Sequence, residues 1–150
     1  TKENAMDYIG GFTLFNDITA REIQKREVAS GTRFWTAKNM PNFSPIGPFI
    51  ATIDEVDDVN NLWITCEVNG EQRLRENTCD YIYTISDAIE HFSRYMPFEA
   101  GDLIAMGAPQ GVAMGQPNAD ELYLQPDDEM EISIENVMSL RNRIIAPSSH

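Results

Sequence analysis

The chain has 150 residues, with 24 acidic and 11 basic side chains and a formal net charge of −13. That balance excludes a nucleic-acid binder, whose affinity comes from Lys and Arg neutralising phosphates, and it disfavours docking on an anionic membrane surface. No apolar run approaches the roughly 18 residues of a membrane span. The two cysteines lack a C-x-x-C spacing and read as reduced cytoplasmic thiols, with a single Cys66–Cys79 disulfide left open.

The length suits one domain with its own core. Tyr8–Phe15 reads as a strand, rich in aromatic and β-branched residues, with Gly10–Gly11 marking a bulge or a close backbone approach. The absence of Met at position 1, with this strand so near it, gives the expectation that the chain begins partway through a longer protein. Thr19 followed by Glu22 is a capping-box pattern and predicts a helix over about Ala20–Ala29, capped by Thr19. Asp17 then sits at a strand-to-helix corner. Ser30–Pro48 has no period and reads as a long loop, a type often functional. Phe49–Ile53 reads as a strand and Asp54–Asn61 as an acidic turn.

Leu62–Val68 alternates apolar and polar residues, and Asn69–Gly70 joins it to Glu71–Asn77 as a hairpin. Ser86–Met96 carries a helical stripe of Ile89, Phe92 and Met96 with Ile85, an N-cap at Ser86 and a Glu90–Arg94 pair on its wet face. Asp102–Gly107 is expected as a short buried strand and Ala108–Asn118 as a Gly/Pro loop. Glu121–Leu124, Glu129–Glu135 and Met138–Ile145 are further expected strands. The sum is a mostly β fold with short helices, a sandwich, roll or barrel.

Several residues could carry chemistry. Arg21, Lys25, Arg26, Arg33 and Lys38 face only Glu22 and Glu27 in the same segment, a local positive excess inside an acidic chain. It reads either as a pocket for a small carboxylate or as a solvated helix face. Asp17 is a candidate hard-cation ligand or a turn aspartate. Glu129-x-Glu131 has the form of a two-carboxylate metal motif, but its alternation with Met130 and Ile132 places it on a solvent face. Gly107, Gly111 and Gly115 are not followed by the Lys-Ser/Thr of a phosphate loop. His91 is the one internal histidine, with His150 terminal, so a Ser-His-Asp or zinc–histidine site from this chain alone is disfavoured. Cys66 reads as packing.

The segment from Gly11 to Gln24 resembles the G-[FY]-x-x-x-N-D-x-[ST]-A-R-[DE]-x-Q pattern of the fumarylacetoacetate hydrolase family. Trp35-Thr36-Ala37-Lys38, Pro45–Ile50, Asp54-Glu55-Val56, Val68–Glu71, Asn77-Thr78, Gly101–Ile104 and Gly107–Val112 are similar to further stretches of that family, in register from about Tyr8 to Ile145. The resemblance implies a mixed β-sandwich roll, a homodimer and a divalent cation, Mg²⁺ foremost, with Mn²⁺ or Ca²⁺ as alternatives. It implies 2-oxo acid or acylpyruvate substrates processed through a metal-stabilised enolate, with C–C hydrolysis ahead of decarboxylation, isomerisation and hydration. Asp17 then matches the metal ligand, Lys38 the catalytic lysine, and Arg21, Gln24 and Ala108 positions at the substrate.

Three departures stand out. The family's Gly-Thr-Pro is here Gly107-Ala108-Pro109, which removes a hydroxyl. The residues after Lys38 differ from the family's pattern. The family's Glu-x-Glu metal ligands and its His/Glu lid pair would lie upstream of the matched segment. The resemblance therefore implies that residues 1–150 correspond to a C-terminal portion, with the upstream polypeptide as a partner. The rival expectations are a non-catalytic module of the same fold that binds small acids or assembles with a partner, and an acidic β-domain for protein contacts.

Overall fold

The computed structural model describes residues 1–32 and 35–146. Six strands dominate: β1 (Gly11–Phe15), β2 (Ile46–Thr52), β3 (Trp63–Val68), β4 (Glu71–Asn77), β5 (Glu129–Ile134) and β6 (Met138–Arg143). They form two antiparallel sheets, β1-β2 and β4-β3-β5-β6. Three helices, α1 (Arg21–Ala29), α2 (Ile85–Ser93) and the single turn α3 (Ala119–Leu122), are joined by short 3-10 turns. The mostly β expectation is met. Among the described residues no helix is long and apolar enough to cross a membrane.

The larger sheet follows directly from its sequence. Asn69 and Gly70 both take positive φ, 54° and 79°, which is what a tight two-residue hairpin turn requires. The Asn69 side chain also accepts from the Glu129 backbone N–H at 3.0 Å, so the hairpin tip is tied to the start of β5. In β5, Ile132 and Ile134 are buried and meet Leu14, Ala51, Val56, Val59 and Met138 in the core. The core thus lies between the two sheets. Cys66 packs against this cluster, and burial pushes its thiol up to about 11, against a smaller opposing effect of Arg73, as expected of a packing cysteine.

The opposite face of β5 is polar. Glu131 pairs with Arg141 at 2.6 Å, and Thr65 and Ser133 share a 2.8 Å hydrogen bond. Arg75 lies 3.8 Å from the centre of the Trp63 ring and bonds Glu135 through two nitrogens. Glu129-x-Glu131 is therefore on the solvent face, as its alternation indicates.

Several expected boundaries are corrected. Lys2–Tyr8 is a 3-10 helix, and β1 begins at Gly11. β2 begins at Ile46 because that residue pairs with Phe15. Helix α1 starts at Arg21 behind Ala20; the Thr19 hydroxyl is spent on the Asp17 carbonyl and makes no cap. The cap of α2 is Thr84, not Ser86. Residues 121–124 hold part of a helical turn and no strand, and β6 ends at Arg143. Asp102–Gly107 is neither strand nor buried: it is irregular, and all of it but Met106 is exposed.

The N-terminal 3-10 helix packs on α2 through one carboxylate. Asp87 closes a capping box with Thr84 and receives the Lys2 ammonium at 2.6 Å. The Lys2 hydrogen bond, then those from Thr84, hold Asp87 down at about 2 against an ordinary 3.8. A folded-state value below the unfolded one stabilises above the unfolded pKa and fades as pH falls through the folded pKa. Asp87→Asn is therefore expected to lower the melting temperature at pH 7, with the gap to wild type closing between pH 3.8 and about 2. Melts at pH 7 and pH 2 check this; a gap of equal size at both would refute the assignment.

Candidate functional site

The chain leaves β1 at Phe15 and reaches α1 at Arg21, and the corner between them is held by its neighbour across the ladder. Asn16 N–H donates to the Pro45 carbonyl at 3.0 Å, Ile18 N–H to Phe43 at 3.1 Å and Ala20 N–H to Ala37 at 3.0 Å. The pairing of β1 with β2 thus continues loosely past Phe15. It lays the end of the long loop, residues 37–45, alongside residues 16–20. Helix α1 grips the same loop from its other side. Glu27 accepts from the backbone N–H of Thr36 at 2.5 Å and of Ala37 at 3.2 Å. Desolvation pushes the Glu27 carboxyl upward, but the bonds from Thr36, Ala37 and Trp35 outweigh it and hold the group below its ordinary value. Ala37, between these anchors, is fully buried.

This double anchoring brings Lys38 to Asp17. The Lys38 ammonium donates to Asp17 Oδ2, and the two side chains are 30% and 42% exposed. Beneath them Asn16 is buried and its amide donates to the Met130 sulfur at 3.2 Å. On the first turn of α1, Arg21 Nη1 donates to Gln24 Oε1 at 2.8 Å, and Gln24 is buried. Two couples therefore arise, Asp17–Lys38 at the corner and Arg21–Gln24 on the helix that leaves it. Sequence reasoning does not single out Asn16 or Glu27 as anchors. Their signal is tertiary: a buried amide, and a carboxylate facing a loop's backbone donors.

The other expected site residues fall differently. Ala108 is exposed, and its loop is anchored on β4 at Gly111, where an added Cβ would lie 3.3 Å from the Arg73 carbonyl oxygen. Lys25 lines a shallow concavity of about 400 Å³ with Asp120, Glu121 and Tyr123, whose walls include neither Asp17 nor Lys38. Among the described residues of the basic segment, Lys25 thus shares a concavity with two carboxylates, and Arg21 is engaged with Gln24. Arg33 and His150 lie outside the described residues. His91 is exposed, its ring 5.2 Å from Phe92 and 5.4 Å from Tyr95.

The donor chemistry at the corner suits a hard divalent cation in kind but not in number. Asp17 offers one carboxylate, and such cations take about six or more oxygens. Among the described residues no group of three or more His, Cys, Asp and Glu could hold a metal ion. The site residues present fit a metal only as part of a larger ligand set.

The fold is β-rich, with a carboxylate–lysine couple at a strand-to-helix corner. The chain belongs to the fumarylacetoacetate hydrolase family, whose C-terminal model matches residues 1–145. It is 35% identical over 144 residues to the oxaloacetate tautomerase YisK of Bacillus subtilis, covering 96% of this chain and 46% of that protein. Its fold matches a fumarylacetoacetate hydrolase from Exiguobacterium antarcticum with a TM-score of 0.89 and 36% identity, over 98% of this chain and 50% of that one. It also matches a Pseudomonas aeruginosa fumarylpyruvate hydrolase, solved with Mn²⁺ and pyruvate, with a TM-score of 0.84 and 23% identity, over 98% and 59%. The chain spans about half the length of the curated relatives it matches.

Proposed function

We propose that this chain carries the Asp17–Lys38 part of an enzyme that processes 2-oxo acids or acylpyruvates, with C–C bond hydrolysis as its reaction. The observation that carries the reading is the Asp17–Lys38 couple, held by backbone bonds between residues 16–20 and the loop 37–45 and by the Glu27 carboxylate of α1, on a family fold. A divalent cation, Mg²⁺ foremost, would supply Lewis acidity when bound. Asp17 would be its one ligand from this chain, and polypeptide upstream of Thr1 would supply the others.

The chain's own residues do the following in this reading. Lys38 holds a fixed positive charge at the corner, where the negative charge of a forming enolate would develop. Arg21, oriented by Gln24, offers a planar fork suited to a carboxylate. Asn16 and Glu27 fix the corner and the loop, so that these charges need not reorganise during reaction. A homodimer in the cytoplasm belongs to the same reading.

A second reading has its own observation. Ala108 carries no hydroxyl where the family has Thr, and among the described residues no group of three or more His, Cys, Asp and Glu could hold a metal ion, which favours a non-catalytic module that binds small acids. One experiment separates the two. The full-length protein is mixed with oxaloacetate or an acylpyruvate and Mg²⁺ or Mn²⁺, while product formation and binding heat are followed. Turnover lost on chelation supports the enzyme. Binding of pyruvate or oxalate without turnover supports the module, and neither would refute both.

A further inference from the structure

The Asn69–Gly70 turn carries a reactive pair that the Asp17–Lys38 site does not use. Asparagine is a thermolabile residue, and glycine after it leaves the next backbone nitrogen unhindered. Nothing lies within 4 Å of where a Cβ on Gly70 would stand. The fold holds the asparagine against β5 by three bonds. Its backbone N–H donates to the Glu129 carbonyl at 2.8 Å. Its Oδ1 accepts from the Glu129 N–H at 3.0 Å, and its Nδ2 donates to Asp128 Oδ1 at 2.8 Å. Asp128 is itself fixed, because its other oxygen accepts from the Gln125 N–H at 2.7 Å. The Gln125 bond, then the Asn69 bond, hold the Asp128 carboxyl below its ordinary value, so the acceptor facing Nδ2 is charged.

We propose that Asn69 is a deamidation site that the fold keeps closed and that cannot be closed again once used: it reacts when the hairpin tip leaves β5, and the carboxylate formed prevents the tip from latching back. In the reaction the Gly70 nitrogen attacks Asn69 Cγ and forms the new N–Cγ bond of a five-membered imide. The Cγ–Nδ2 bond breaks, and Nδ2 leaves as ammonia with the proton of the Gly70 amide. One water opens the ring to aspartate or isoaspartate, and the new acid gives its proton to the ammonia. Ring closure makes Cγ tetrahedral and expels Nδ2, so the Asp128 bond must be given up for the step to occur. The product has no N–H for Asp128 and sets a second carboxylate against it, where like charges repel. The surroundings add to the repulsion. Glu67, Glu129 and Glu131 line the same shallow concavity as Asn69. The two arginines there are already engaged, Arg141 with Glu131 at 2.6 Å and Arg73 with Glu71 at 3.2 Å. Isoaspartate would also lengthen the two-residue turn by one backbone carbon, which disturbs the register of β3 on β4.

Peptide mapping by mass spectrometry, with isoaspartate quantified at Asn69, tests the closed state. The protein is incubated in mildly alkaline buffer, folded and in urea. The folded protein is expected to deamidate at Asn69 at least about tenfold more slowly than the unfolded chain, since reaction must wait for local opening. This comparison needs no variant, and equal rates would overturn the proposal. Folded Asp128→Ala should deamidate about tenfold faster than folded wild type, while the two rates in urea agree. A folded Asp128→Ala that reacts no faster than wild type would remove Asp128 as the lock and overturn the proposal too. The irreversible half is tested with Asn69→Asp, which reproduces the product. It should melt below wild type, and Asp128→Asn added to it should restore part of the loss by exchanging donor and acceptor across the same contact. Wild-type melting by Asn69→Asp would show that the modified tip latches again, and a double variant no more stable than Asn69→Asp would show that the contact with Asp128 is not the cause.

Discussion

Asp17→Asn is expected to abolish turnover of a 2-oxo acid, lowering kcat/KM by about 10³-fold or more, the scale at which preorganised charges act on a transition state. The substitution keeps shape and volume but removes the charge. An amide in place of the Asp17 carboxylate could neither balance the Lys38 ammonium nor give a hard cation its anionic oxygen. The fold should survive, because Asp17 is 42% exposed and an exposed ion pair is worth only about 0–1 kcal/mol. Lys38→Met should cost turnover on a similar scale, and the double variant should lose little more than either single one, since groups acting as a unit are not additive. Steady-state kinetics with melting curves on the same samples check this. Wild-type turnover by Asp17→Asn would remove Asp17 from the site. Loss accompanied by a large drop in melting temperature would make its role structural.

The parts of this fold legible in the sequence are those with local causes. The Asn69–Gly70 hairpin is legible because its turn needs two residues at positive φ. The alternation of Met130, Ile132 and Ile134 places β5 correctly because period 2 and burial coincide there. Helix α2 shows itself through Ile89 and the Glu90–Arg94 pair, which closes at 3.3 Å. The cap of α1 is misread for a nonlocal reason: the Ala20 N–H is taken by the Ala37 carbonyl, and the chain turns at Asp17 so that Thr19 cannot reach the helix. Residues 121–124 are misread because one helical turn is too short to show a period.

Asp102–Gly107 is the most instructive difference. Its apolar content signals an element that needs covering, but a strand exists only where a partner supplies the ladder. The site divides along the same line. Asp17 and Lys38 are 21 residues apart, and no spacing rule joins them. Each is a candidate on its own chemistry, only the family resemblance puts them in one site, and their meeting depends on β1–β2 pairing that extends past Phe15 as irregular backbone. The same pairing makes the site sensitive to a residue far from its chemistry.

Gly11→Ala is expected to destabilise the protein by about 1–3 kcal/mol, the usual cost of forcing a methyl into filled space. For a chain of this length that is a fall of several degrees in melting temperature, at about 2–4 °C per kcal/mol. The cause is a close approach of backbone to side-chain position. A Cβ on Gly11 would lie 2.4 Å from the Ala51 carbonyl oxygen and 2.6 Å from Ile50 Cγ2. The Ile50 methyl can rotate away, but the Ala51 carbonyl belongs to β2, where Ala51 pairs with Phe12 and is itself buried in the core. The strands must therefore part where their register begins, and the displacement runs along β1 to Asn16 and Asp17. Turnover should fall together with stability, through a looser Asp17–Lys38 couple. Gly10→Ala is the matched control: nothing lies within 4 Å of its would-be Cβ, and its φ is outside the left-handed region. That change should be neutral or stabilise by up to about 1 kcal/mol, through a less mobile unfolded chain. Urea titrations of both variants decide the matter. Equal stabilities for the two would show that the β1–β2 approach yields without cost, and that the corner carrying Asp17 is not set by it.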